Sequence, residues 1–139
     1  MTTNINRLFK ILKNMEEKNE LVLPAELEDV IQAQCKKILA ENPKIKRIIP
    51  IVVEGNEDLG EKPFYVAYMR TPDMKAFSKF MMTNSANSII AQQALAKDCF
   101  VDGDKELLTD DDLFLMGLMP QLSVLIESRS AKIVNFSKA

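Results

Sequence analysis

Residues Lys62 to Phe80 read KPFYVAYMRTPDMKAFSKF, and within these nineteen positions the chain changes from the period of a strand to the period of a helix. Phe64, Val66 and Tyr68 alternate with Tyr65, Ala67 and Met69. Aromatic and β-branched side chains in strict alternation describe a half-buried pleated strand. Thr71-Pro72-Asp73 then opens a helix. The threonine offers an N-cap hydroxyl, the proline's fixed φ suits the first helical position, and the carboxylate lies near the positive end of the helix dipole. Met74, Phe77, Phe80 and Met81 share one face of this helix, expected from Pro72 to about Met82.

Upstream, Ile45 to Glu54 (IKRIIPIVVE) is an apolar run that ends at Gly55-Asn56 and reads as a strand. Pro50 has no N–H for a ladder, so this strand belongs at an edge or carries a bulge. The loop Gly55 to Lys62 returns the chain into the aromatic strand, which predicts an antiparallel hairpin. A hairpin alone is marginal and needs a covering layer. Helical patterns on both sides supply it. Pro24 opens a helix with Leu27, Val30, Ile31, Cys35, Ile38 and Leu39 at a period near 3.6, stopped at Asn42-Pro43. Before it, Asn4 to Lys18 sets Ile5, Leu8, Ile11, Leu12 and Met15 on one stripe, predicting an amphipathic helix packed on the domain or on a second copy, or else a peripheral arm.

Downstream, Thr83-Asn84-Ser85 breaks the period, and Ala86, Ile89, Ile90, Gln93, Ala94 and Lys97 begin another amphipathic helix. Cys99-Phe100-Val101 reads as an apolar link and Asp102-Gly103-Asp104 as a turn. From Asp98 to Asp112 seven carboxylates meet one cation, Lys105. An EF-hand register begun at Asp102 puts Leu107 where glycine is needed and Leu113 where glutamate is needed, so that calcium loop is excluded. A capping box between Thr109 and Asp112 is the local explanation. The last helix is expected from Asp110 to about Ser128, kinked or divided at Pro120, and the tail from residue 129 to 139 reads as a loose end or a short docking segment.

The 139 residues have the length of one domain, so a single α+β domain is predicted: a hairpin covered by about five helices. A net charge of −2 predicts no strong attraction to nucleic acid or anionic membrane, although Lys36, Lys37, Lys44, Lys46 and Arg47 form a basic pole. No apolar run reaches the roughly 20 residues of a membrane helix. The chain has no histidine, which excludes serine-histidine and cysteine-histidine mechanisms and removes the commonest nitrogen ligand. Cys35 and Cys99 lie far apart with no ligand spacing, and without a secretory leader they read as two reduced thiols of a cytosolic protein. No catalytic residues, cofactor site or metal site can be written from these patterns.

The half from Phe64 onward resembles the small tail assembly chaperones of long-tailed bacteriophages and related prophages. The matching features are the aromatic strand ending in Arg70-Thr71-Pro72, a helix with the pair Ala76-Phe77, and a second helix from Ala91 to Lys97 that runs into Asp98-Cys99-Phe100-Val101. An acidic turn and a closing helix with an internal proline and a Leu125-Ile126-Glu127 ending follow. The resemblance covers about residues 64–128, and none of its motifs performs chemistry. It implies a non-enzymatic protein in the cytoplasm of a bacterial host, binding tape-measure and tail-tube proteins. Such a role asks for adaptable apolar surfaces, for which Met81, Met82, Phe114, Met116 and Met119 are the candidates. A homo-oligomer is compatible with the apolar last helix. The alternative from a different class is a small regulatory or immunity-type protein that sequesters one protein or nucleic-acid partner through the basic pole.

Overall fold

A computed structural model of the chain describes residues 21–127 and 130–134. The expected helix from Asn4 to Lys18 lies outside the described residues, as do parts of the tail; residues 130–134 have no regular structure and are exposed. Helix α1 (Ala25–Glu41) leads to strand β1 (Ile48–Glu54) and, after a one-turn 3-10 segment at Glu57–Leu59, to strand β2 (Phe64–Arg70). Helices α2 (Met74–Asn84) and α3 (Ser88–Cys99), strand β3 (Phe100–Gly103) and the short α4 (Glu106–Thr109) follow. A closing helix consists of a π-helical part, Leu113–Leu118, and a 3-10 part, Met119–Ile126.

The three strands form one antiparallel sheet in the order β1-β2-β3. β1 pairs with β2 from Ile48 opposite Arg70 to Glu54 opposite Phe64, and Pro50 lies in the edge strand, as its missing N–H requires. The hairpin is therefore extended by a third strand where the sequence predicts a link and a turn. β3 pairs with β2 through Ala67 opposite Gly103 and Met69 opposite Phe100, with a register irregularity between Tyr68 and Met69. Gly103 ends the strand at φ 121°, and a Cβ there would collide with the Val66 carbonyl.

The period of two divides the apolar side chains between two layers. Ile49, Ile51, Val53, Tyr65, Ala67 and Met69 face the main core, with Phe80, Leu95, Phe114 and Leu122 from the helices. Ile48, Val66 and Tyr68 face the opposite side, where Ile31 and Ile38 of α1 cover them. β2 is consequently buried on both faces, from Tyr65 to Met69, rather than half-buried. A central strand between two helical layers exposes neither side.

Two helix starts differ from the expected ones. Asp73, not Thr71, caps α2, its Oδ1 accepting the Ala76 N–H at 2.8 Å. Asp110, not Thr109, caps the closing helix, accepting from Leu113 N at 3.0 Å. The Thr109 hydroxyl instead donates back to the Lys105 carbonyl at 3.3 Å. In both places the side chain nearer the first free N–H groups takes them. Pro120 divides the closing helix as predicted. The Met119 N–H reaches back to the Phe114 carbonyl, a π-type bond, and the chain tightens to 3-10 geometry from Met119 on. Proline has no N–H for the Met116 carbonyl and would collide with it in a regular helix; a wide turn followed by a tight one avoids both problems.

Candidate protein-binding surface

α2 carries two apolar stripes and can bury only one. Ala76 and Phe80, four residues apart, enter the core. Met74, Phe77 and Met81, spaced by three and four residues, form a second stripe on the outside, 85%, 40% and 55% exposed. Met82 beside it is 79% exposed. Thr83 turns the chain, its carbonyl accepting from Ala86 N and Asn87 N, and the Asn87 side chain caps α3 through Ile90 N at 3.1 Å. α3 then packs on α2 and buries Ala91, Leu95, Ala96 and Cys99. Its first-turn residues Ile89 and Ile90 stay half out of the fold. Between Met74 and Asn84 the only ionic side chains are Lys75 and Lys79, and Lys79 lies 3.5 Å from the Asp98 carboxylate. The helical hairpin therefore offers an apolar surface with a cationic flank.

Of the methionines and the phenylalanine singled out in the sequence, Met81 and Met82 belong to this surface. Met116 is also exposed, but on the π-helical turn beside Val53. Met119 is half-buried and lines a groove of about 380 Å³ with Phe80, Asn84 and Leu122. Phe114 is corrected: it is 2% exposed, held in the core against the sheet, and is a packing residue with no surface to offer. These candidates are thus spread over several places rather than gathered in one. Met74, Phe77, Ile89 and Ile90 are exposed apolar residues that the sequence reading does not single out as candidates. Their signal in the sequence is an excess of apolar positions on α2.

Several polar groups are held in structural roles. Asp104 accepts from Val66 N at 2.8 Å and from Lys62 Nζ at 2.6 Å, and Asp102 from Gln34 Nε2 at 2.7 Å. Arg70 donates from Nε and Nη2 to the Asp98 carbonyl at 3.3 and 3.2 Å, tying the end of β2 to the end of α3. Burial pushes the Cys99 thiol up to about 11 and raises that of Cys35, so both stay protonated at neutral pH and are poor nucleophiles. Among the described residues no group of three or more carboxylate or thiol side chains converges on a possible metal position, and no helix is long and apolar enough to cross a membrane. Lys36, Lys37, Lys44, Lys46 and Arg47 are all solvent-exposed at the end of α1 and before β1. No protein-family model, no curated protein and no solved structure matches this chain.

Proposed function

We propose that this protein is a non-enzymatic assembly factor of the phage tail-chaperone type, whose α2–α3 hairpin binds tape-measure and tail-tube proteins before they are built into a tail. The observation that carries the reading is the uncovered stripe of Met74, Phe77 and Met81 on α2, with Met82 exposed next to Met81 and Ile89 and Ile90 exposed in the first turn of α3. Uncovered apolar stripes at helical spacing are shaped to receive a partner helix, and flexible methionines let one surface fit more than one partner. The stripe lies within the part of the sequence that carries the family resemblance. The test is co-purification of the full chain from cells that also make a tape-measure and a tail-tube protein. Recovery of either supports the role, and Phe77→Lys abolishes that recovery without unfolding the chain. Recovery of neither by the wild-type protein overturns it.

A second reading rests on the five exposed cations of the basic pole. It makes the protein a regulatory or immunity-type factor for an acidic protein or nucleic-acid partner. Nucleic acid that co-purifies and is released steeply by salt favours it over assembly.

A further inference from the structure

The cleft between the loop after β1 and the π-helical turn is lined by acidic and apolar side chains. Glu54, Glu61 and Asp112 line it together with the buried Val53 and Leu113 and the exposed Met116, around a cavity of about 320 Å³. Glu61 is held in place, its Oε1 accepting from Asn56 N at 2.9 Å. Leu59 on the same wall is 67% exposed and Met116 78%, so two large apolar side chains stand uncovered together. A second cavity shares Val53, Glu54, Met116 and Gly117 with the first, and Leu21, the first described residue, is part of its wall. Residues 1–20 therefore join the fold beside the cleft.

The sequence of that joining segment complements the cleft. Ile5, Leu8, Ile11, Leu12 and Met15 recur at helical spacing, and the ionic side chains up to Met15 are Arg7, Lys10 and Lys13, all cations. The ionic residues that line the cleft are all acids. Residues 16–20 span at most about 17 Å when extended, enough to bring a segment ending at Met15 back over a cleft that opens beside Leu21. We propose that residues 4–15 of this chain occupy the cleft, their apolar stripe on Val53 and Met116 and their cations facing Glu54, Glu61 and Asp112. This docking is independent of any partner on α2.

Paired cysteines test it. In the full chain carrying Cys35→Ala, Leu8→Cys with Met116→Cys is oxidised at low protein concentration; Cys99 does not compete, being buried with its thiol pushed up to about 11. The control pair is Leu8→Cys with Met82→Cys, a similarly exposed position on α2. The expected result is an intramolecular disulfide at Met116 forming about tenfold faster than at Met82, because docking raises the local concentration above that of a free tether. Glu54→Lys combined with Asp112→Lys is expected to remove most of that difference. Equal rates at the two sites overturn the proposal. Crosslinks at Met116 that are mainly between chains overturn it in favour of a second copy as occupant. Amide exchange of residues 4–15 in the otherwise wild-type chain gives an independent reading. Slow exchange that Met116→Glu accelerates supports docking, and equally fast exchange in both proteins overturns it.

Discussion

Asp104 fastens the end of the third strand to the second strand and to the loop before it through three hydrogen bonds. Its Oδ2 accepts from Val66 N, its Oδ1 from Lys62 Nζ, and its own N–H donates to the Val66 carbonyl at 2.8 Å. The carboxylate–lysine pair is largely in solvent, where such pairs contribute little. The bond to Val66 N is part-buried, and a donor left without its acceptor there carries the full desolvation penalty. Asp104→Ala is therefore expected to lower stability by about 1–2 kcal/mol in urea denaturation, and Asp104→Asn, which keeps an acceptor, by under about 1 kcal/mol. Equal losses in the two variants would assign the effect to the charge instead. This role was not legible in the sequence. Asp102-Gly103-Asp104 has the local signature of a turn, and nothing in its spacing points to an acceptor site on a strand 38 residues earlier. The move of the α2 cap from Thr71 to Asp73 has a similar origin, since both residue types cap and only the path of the chain selects between them.

At the level of elements, the closing helix was legible in its apolar content and its break at Pro120, but not in its π and 3-10 parts. Those depend on what the helix rests against. Gly117 lies on Val53 of β1, and a Cβ there would press into both Val53 methyl groups. Replacing a helical glycine by alanine ordinarily adds about 0.5–1 kcal/mol of stability by restricting the unfolded chain. Overpacking against a strand opposes this by about 1–3 kcal/mol. Gly117→Ala is therefore expected to destabilise the protein, and to cost less in a Val53→Ala background than in the wild type, because the smaller side chain makes room for the added methyl. A Gly117→Ala protein more stable than wild type would show that the close approach to β1 does not limit packing. β3 was missed for a different reason. Its four residues end at a glycine, too short a stretch for alternation to register, and β2 supplies its partner groups.

On the scale of the molecule, the sheet divides the core into two layers, and both stripes of α2 acquire a meaning from it. Phe80 faces the main core and Phe77 faces out, three residues apart on one helix. Phe80→Ala is expected to cost about 3–5 kcal/mol in urea denaturation, whereas Phe77→Ala is expected to cost under about 1 kcal/mol and to weaken partner capture. The sequence placed both residues on one face, because a window of eleven residues shows that a helix is apolar but not how far round the core reaches. Comparable losses of stability in both variants would mean that Phe77 is covered in solution, and the α2 surface would then be an interior face.

The two layers also make the whole molecule sensitive to alkali. Cys99 lies in the main core, Cys35 on α1 and Tyr68 beneath it, and burial raises all three above their ordinary values. An acid raised in the folded state holds its proton more tightly there than in the unfolded chain. The stability this represents is fully present below the unfolded value, 9.0 for Cys99, and is lost as pH climbs through the folded value of about 11. Cys99 alone accounts for roughly 2–3 kcal/mol over that window, and Cys35 and Tyr68 act in the same direction. Urea midpoints are therefore expected to hold between pH 7 and 8.5 and to fall steeply above pH 9. Cys99→Ala lowers the plateau through the cavity it leaves but flattens the decline, because no thiol remains to ionise in the core. A decline equally steep in Cys99→Ala would move the alkaline sensitivity away from the main core, to Cys35 on α1 and Tyr68 beneath it.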